Sequence, residues 1–335
     1  MTIEEIFKLV EKENQILREN YIKNYTIKEE EFGIVLGSPY CYIYLIDNIL
    51  IDISVTAWAY LLLNLIKNKY KINYLLLTHS HYDHLGGTHI LKEHFKDYFN
   101  NLKIIGHSNI SKVLKSQTAI NIISDFNYKD SYEIYNILKN DDLLQFLKFN
   151  NFELDYELED HNQKILDLKN LINKDVKVLF VSGHTKDSVS YYFVKENVLI
   201  MAESMGVPNH KFNFVLPEFL TSYTNYKNNL KFQEELIIDK KISNFLLPHI
   251  MYFTNFSDVK DFIKLSYYSL ELYVKKFIEY INKVGINLDN FDLKLEETFK
   301  YILEGIYIKY ELTQPIYAFK ANITAQIKTI LKELI

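Results

Sequence analysis

The stretch Thr78-His79-Ser80-His81-Tyr82-Asp83-His84-Leu85-Gly86-Gly87 places three imidazoles and a carboxylate within six residues. Binding a metal ion requires several nitrogen and carboxylate donors to converge on one point, each stripped of its proton. The stretch follows an apolar run, Tyr74–Leu77, that reads as a strand. Side chains leaving a strand repeat with period two, so His79 and His81 point the same way. The chain then turns at Asp83 and His84 into a helix, and these two can serve a second point a few ångströms away. Two adjacent metal sites follow. As protonated side chains, three clustered imidazoles would repel one another, which argues against a merely polar loop.

The elements around this stretch must position it. Residues 32–36, 41–46 and 49–53 are short β-rich runs, broken at Gly37-Ser38-Pro39 and Asp47-Asn48 as in a β-meander. A helix over 55–69, the strand at 74–77, a helix over 87–99 and a strand at 103–106 then alternate, which implies a mixed α/β layer architecture. Residues 108–150 lose the strand signal and read as a helical insertion. Strands resume at 152–158, 164–168, 176–181, 189–194 and 198–202. After a helix near 225–240 and a strand at 244–247, the chain reads as helical over 256–284, 291–311 and 318–334. The spacing of Ile3, Ile6, Phe7, Val10, Leu17 and Tyr21 predicts an N-terminal helix over 3–25. It is read as packed on the body, a homodimer contact being the alternative.

Composition narrows the class. The 335 residues are 48% hydrophobic and 24% charged, close to the globular average, which excludes a disordered or low-complexity chain. The net charge is −5, and Arg18 is the only arginine, so a nucleic-acid partner is not expected. The single cysteine, Cys41, falls in a run that reads as a strand; it is read as a buried core thiol, and no disulfide can form within the chain. The acidic start and the absence of an apolar run of about 18 residues lead to the expectation of a cytoplasmic protein without a membrane partner.

His79-x-His81-x-Asp83-His84 resembles the H-x-H-x-D-H signature of the metallo-β-lactamase superfamily, and further motifs follow in the family's order. Ile49–Ile53 resembles its first motif, with Asp52 at a strand end. Ser182-Gly183-His184-Thr185-Lys186-Asp187-Ser188 resembles the Gly-His-Thr/Ser turn of the third histidine, and Leu246-Leu247-Pro248-His249 the segment of the last. The match spans about residues 32–255. One motif departs from the pattern: where the family has a bridging aspartate, Ile200-Met201-Ala202-Glu203-Ser204-Met205-Gly206 offers Glu203, with a stem one methylene longer.

The resemblance implies a four-layer αββα sandwich over 1–255, with the insertion at about 108–150 and a helical cap over 256–335. It implies one metal held by His79, His81 and His184, a second held by Asp83, His84 and His249, and Glu203 between them. Asp52 is then an outer group that accepts a ligand histidine's N–H and fixes its orientation. Zn²⁺ stands first among the cofactors, and Fe²⁺ and Mn²⁺ suit the same donors. His107 follows a strand and is read as structural or as bordering the cleft. His89, His94, His161 and His210 have no partner spacing and are read as structural or solvated.

Paired divalent ions lower the pKa of a shared water toward neutrality and polarise the electrophile, so hydrolysis is the expected reaction. Asp83 would steer the resulting hydroxide and later pass a proton to the leaving group. The helices beyond residue 255 are rich in aromatics such as Phe262, Tyr273, Phe277, Tyr307 and Phe319, which suggests a deep apolar pocket. Acyl thioesters, carboxylic esters and lactones fit such a pocket, and the helical cap is similar to the superfamily's thioesterase-like branch. Two alternatives remain: a phosphodiesterase or phosphonate-type hydrolase, which would use Lys186 beside the His184 turn, and a non-catalytic ligand-binding regulator.

Overall fold

The computed structural model describes residues 3–209, 211 and 213–335, so His210, Phe212 and the first two residues lie outside the described residues, as do the side chains of Ile3, Ile6 and Phe7. Two compact units are formed. A strand-rich unit comprises Arg18–Phe180 and Asp187–Ala202; a helix-rich unit comprises the described residues up to Leu17, Val181–Lys186 and Glu203–Ile335. Helix α1 (Ile3–Lys23) is divided between them. Of the expected apolar stripe on α1, Val10 and Tyr21 are half-buried and Leu17 is exposed, while Asn14 and Ile22 are buried. Burial of Asn14 is tolerated because its amide donates to the carbonyl of Leu312 at 2.8 Å and to the Tyr307 hydroxyl at 3.2 Å.

The strand-rich unit is organised around a seven-stranded sheet. Strands β1 (Ile27–Glu30), β2 (Gly33–Leu36), β3 (Ile43–Ile46) and β4 (Ile49–Ile51) form an antiparallel meander. Strand β1 is an addition to the expected elements: Ile27-Lys28-Glu29-Glu30 is mostly polar and half exposed, as suits an edge strand. Strands β5 (Tyr74–Leu76), β6 (Lys103–His107) and β7 (Tyr156–Leu158) continue the sheet in parallel. Parallel pairing requires crossovers, and these are helical. Helix α2 (Thr56–Ile66) links β4 to β5, and α3 (Tyr82–Leu85) and α4 (Thr88–Glu93) link β5 to β6. The insertion between β6 and β7 is α5 (Ser108–Leu114), α6 (Gln117–Leu138) and a 3₁₀ turn at Asp141–Phe146.

Trp58, Leu62 and Ile90 of these helices share one buried cluster with Leu45, Leu50, Leu75 and Ile104 of the sheet. The alternate strand residues Tyr44, Ile51, Leu76 and Ile105 are also buried, so both faces of the sheet are covered. A second sheet of the unit contains β8 (Ile165–Asp167), followed by α7 (Lys169–Ile172), and β9 (Val176–Phe180), β10 (Val189–Phe193) and β11 (Val198–Ile200), all antiparallel. It meets the end of β5, where the Tyr191 hydroxyl donates to the Leu77 carbonyl at 2.7 Å and the Val189 N–H to the Thr78 carbonyl at 2.9 Å.

The helix-rich unit holds two short hairpins, β12 (Val207–Pro208) with β13 (Val215–Leu216), and β14 (Asn244–Leu246) with β15 (Tyr252–Phe253). Helix α8 (Tyr223–Lys240) lies between them in sequence. Helices α9 (Phe256–Val284), α10 (Phe291–Ile302) and α11 (Ile316–Glu333) follow. The helix expected over 291–311 is interrupted by a π-helical turn at Leu303–Ile308. Gly305 lies in that turn, and a Cβ there would come within 1.9 Å of the Tyr280 hydroxyl, so the wider turn admits the tyrosine. The aromatics expected to wall a pocket are mostly core: Phe262, Tyr273, Phe277, Tyr307 and Phe319 are all buried, and the rings of Tyr273 and Phe277 stack at 4.4 Å. No helix among the described residues is long and apolar enough to cross a membrane.

The architecture is mixed α/β, with several sheets and many helices, as the sequence leads one to expect.

Candidate metal centre

In the strand-rich unit the donors stand where β5 ends. Asp52 follows β4, the neighbour of β5, and its N–H still donates to the Leu76 carbonyl at 3.0 Å. Asp52 lies in the left-handed region, at φ +55°, and so does Ser54, at φ +63°. Two non-glycine residues so close together in this sparsely populated region mark a backbone held there by its surroundings. Here the constraint is the Asp52 carboxylate: Oδ1 accepts the Thr78 N–H at 2.8 Å, and Oδ2 accepts the Thr78 hydroxyl at 2.8 Å and faces His84 Nδ1 at 2.8 Å.

These bonds settle the proton positions. An ionised carboxylate only accepts, so His84 Nδ1 carries the hydrogen. Thr78 gives its one proton to Asp52, so its oxygen receives Nδ1–H of His79, 3.0 Å away. In their neutral forms both imidazoles therefore carry the lone pair on Nε2. The rings of His79 and His84 lie 4.0 Å apart, and those of His79 and His81 4.6 Å apart. Asp83 Oδ2 stands 4.0 Å from His84 Nε2. Burial disfavours a charge on His84, but the facing Cys41, Asp52 and Asp83 outweigh it and hold its pKa well above the ordinary histidine value. A cation loaded there would have to displace that proton.

Helix α6 supports the loop from behind. The Tyr82 hydroxyl donates to Asp130 at 2.9 Å, and the Tyr40 hydroxyl to Glu133 at 2.8 Å. Arg18 is engaged here too, with Nε 3.1 Å from Glu133. Cys41 is not in a strand: it lies in the turn before β3, fully buried, with Sγ 3.4 Å from His84 Nδ1. Burial pushes its thiol up to about 12, so it remains protonated at neutral pH.

In the helix-rich unit, His184 sits on the turn following Val181, Glu203 opens a 3₁₀ turn at Glu203–Met205, and His249 lies between β14 and β15. Gly183 has φ +136°, and a Cβ there would come within 2.5 Å of the Tyr226 main-chain nitrogen, so this turn requires glycine. His184 Nδ1 is 2.6 Å from the Glu218 carbonyl oxygen. A carbonyl cannot donate, so again Nδ1 carries the hydrogen, and in the neutral ring the lone pair is on Nε2. That Nε2 lies 3.2 Å from one oxygen of Glu203, and His249 Nε2 lies 2.7 Å from the other. Glu203 is thus a buried carboxylate spanning two imidazoles rather than a solvated surface group.

The donor chemistry fits divalent cations. An imidazole whose second nitrogen is tied to an acceptor is the arrangement that orients metal-binding histidines; His84 has it at a carboxylate, His184 at a main-chain carbonyl and His79 at the Thr78 hydroxyl. Two of the groups that create it, Thr78 and the Glu218 carbonyl, carry no signature of their own in the sequence. Thr78 does follow the strand directly and precedes the first histidine; a main-chain carbonyl 34 residues beyond His184 leaves no trace.

The remaining described histidines, His89, His94, His107 and His161, have surroundings of their own. His107 accepts the Asn109 N–H at 3.0 Å as the cap of α5, and its ring meets Phe180 edge-on at 5.6 Å. Burial lowers its pKa. His89 is buried edge-on against Phe149, His94 packs against Tyr60 and Phe146, and His161 is exposed.

Residues 37–98 match the family model described as the metallo-beta-lactamase superfamily. Over nearly its whole length the fold is similar to the stereoselective inverting sec-alkylsulfatase Pisa1 from Pseudomonas sp., with a TM-score of 0.62 and 13% identity, covering 96% of this chain and 52% of that one. The chain therefore spans about half of that enzyme's length. It is also similar to a metallo-beta-lactamase family protein from Thermus thermophilus, with a TM-score of 0.51 and 14% identity, covering 90% of this chain and 89% of that one. No curated protein matches the sequence. The matched segment is that of the metallo-beta-lactamase superfamily, and the fold of the chain is similar to that of proteins of this superfamily. Candidate metal-binding histidines and carboxylates are in place within each unit.

Proposed function

We propose that the protein is a hydrolase whose two donor sets serve one pair of divalent cations. His79, His81 and His184 would hold one ion and Asp83, His84 and His249 the other, with Glu203 as the carboxylate they would share; Zn²⁺ is the first candidate, ahead of Fe²⁺ and Mn²⁺. The observation that carries this reading is that three of the five histidines, His79, His84 and His184, are tied at Nδ1 by an acceptor, which leaves Nε2 of the neutral ring as the donor for a cation. Such ions supply a water made acidic enough to attack at neutral pH and a Lewis acid for the electrophile's oxygen.

The chain's own residues do the rest. Asp52 and Thr78 hold His79 and His84 in one tautomer. Asp83, partly accessible beside His84, can take a proton from the nucleophile and return it to the leaving group. No serine or cysteine nucleophile is needed, and Cys41 is protonated and enclosed. The substrate class we infer is a thioester, a carboxylic ester or a lactone, with a catalytic region over 1–255 and a helical region from 256 onward. The Ile-, Leu- and Tyr-rich composition of those helices supports it, through the partly exposed Tyr267, Tyr280, Tyr310 and Tyr317 rather than the buried aromatics. A second reading, hydrolysis of a sulfate or phosphate ester, is favoured by the fold likeness to an alkylsulfatase along 96% of the chain.

A panel of acyl-CoA, lactone, sec-alkyl sulfate and bis-(p-nitrophenyl) phosphate substrates, assayed with and without chelator, decides among these. Chelator-sensitive turnover of acyl compounds is expected. Turnover confined to the sulfate or phosphodiester would replace the first reading with the second, and a metal-replete protein inert to all four would favour a binding role. Elemental analysis beside a Glu203→Ala variant tests the bridge, with loss of one ion expected and unchanged occupancy counting against it.

A further inference from the structure

The segment Pro217–Ser222 follows β13 and touches the His184 turn throughout. Besides the Glu218 carbonyl at His184 Nδ1, the Leu220 N–H donates to the His184 carbonyl at 3.3 Å, and the Thr221 N–H to the Gly183 carbonyl at 3.0 Å. Ring and backbone of His184 are thus held by one strap. The strap in turn is held by α11. Asn322 Nδ2 donates to Glu218 Oε2 at 3.0 Å, Gln326 Nε2 to the Pro217 carbonyl at 2.7 Å, and the Thr329 hydroxyl to the Leu220 carbonyl at 2.9 Å.

Positions 322, 326 and 329 are spaced by four and three, so the three side chains form one polar stripe on the helix. Their neighbours Ile323, Ile327 and Ile330 are buried apolar residues. Gln326 is 1% exposed. Its amide cannot rotate freely, because the Tyr273 hydroxyl donates to its Oε1 and leaves the NH₂ end for Pro217. A buried amide is costly unless every polar atom is used, and apolar residues would dock a helix at lower cost. The stripe clamps the carbonyls on either side of residue 218 and the side chain of 218 itself, which fixes the acceptor that determines the His184 tautomer.

We propose that Asn322, Gln326 and Thr329 are positioning residues for His184: the last helix of the chain orients a candidate metal ligand through the strap. The significance of that orientation rests on the reading of His184 as a ligand given above, so the test has one readout that needs no metal. In metal-free protein, ¹⁵N NMR of the histidine ring reports the tautomer directly. Wild type should show His184 in a single Nδ1–H form. Gln326→Met combined with Thr329→Val keeps size and removes both clamping donors; it should shift His184 toward a mixture of tautomers. Zn²⁺ affinity, read by competition with a chromophoric chelator, should fall about tenfold, the low end of what outer-shell partners of metal-binding histidines contribute. Thr329→Ser, which keeps the hydroxyl, should retain wild-type behaviour.

If the double variant does not fold, Asn322→Ala at its half-buried site carries the same two readouts. A folded variant with an unchanged tautomer overturns the proposal. A shifted tautomer in a chain whose wild type takes up no Zn²⁺ would uphold the positioning role and sink the metal reading instead.

Discussion

The two donor sets are built by opposite means. In the strand-rich unit, four donors come from His79 to His84, and their tautomers are set by side chains, Asp52 and Thr78, at most 32 positions away in sequence. In the helix-rich unit, three donors come from positions 184, 203 and 249, and the tautomer of His184 is set by a main-chain carbonyl. The match to the family model, residues 37–98, covers only the first set. Where a strand end and a tight turn do the positioning, the pattern is compressed into a motif. Where a strap and a distant helix do it, the chain needs only to place a carbonyl, and many sequences can.

If the two sets serve one centre, His79→Ala and His184→Ala should cost alike, lowering kcat/KM on whichever substrate proves active by about a thousandfold or more, since each would remove a ligand from the same activated water. Full activity in His184→Ala with loss in His79→Ala would break the symmetry and confine the chemistry to the first set.

The contrast between side-chain and main-chain support gives a sharper pair. Asp52→Asn puts an NH₂ group where an acceptor serves Thr78 and His84, and should weaken metal affinity roughly 10–100-fold. Glu218→Gln leaves the main-chain carbonyl intact, and an oxygen for Asn322, and should change affinity little. Equal losses in the two, measured by chelator competition, would show that the distinction between the supports is wrong.

Smaller effects come from protonation. The pKa of His84 is raised well above 6.5 in the metal-free protein. Its proton therefore contributes stability that is fully present below the ordinary histidine value and is lost as pH rises through the raised one. Metal affinity should run the opposite way, increasing with pH until His84 is neutral, with proton release on binding visible by calorimetry in buffers of different ionisation enthalpy. A flat affinity profile from pH 6 to 9 would exclude His84 as a ligand. The smallest expected signal is at Cys41: a thiol reagent at pH 8 should find no reactive group in the folded protein and one after unfolding. Prompt labelling of the native chain would mean that the turn before β3 opens.

Much of the fold can be read from periodicity. The helix expected over 256–284 is α9, Phe256–Val284, because its buried positions recur at helical spacing without interruption. Expectations fail where a long-range partner outweighs the local pattern. Asn14 is buried because Tyr307 and Leu312 satisfy it, the helix from 291 gives way to a π turn where the Tyr280 hydroxyl approaches Gly305, and β1 forms from polar residues as an edge of its sheet. In the site, Thr78 stood beside the motif without being singled out, and the roles of Glu218, Asn322 and Gln326 were invisible.

The sequence alone determined the candidate donors, their grouping into a contiguous set and three scattered residues, and the alternation of strands and helices, since these depend on residue type and on spacings of two and of three to four. Only the tertiary structure decided which imidazole nitrogen carries a proton, which groups hold it there, and which aromatics are core. Those depend on hydrogen-bond acceptors and packing surfaces brought together from remote parts of the chain, and a main-chain carbonyl is the same atom whatever residue bears it.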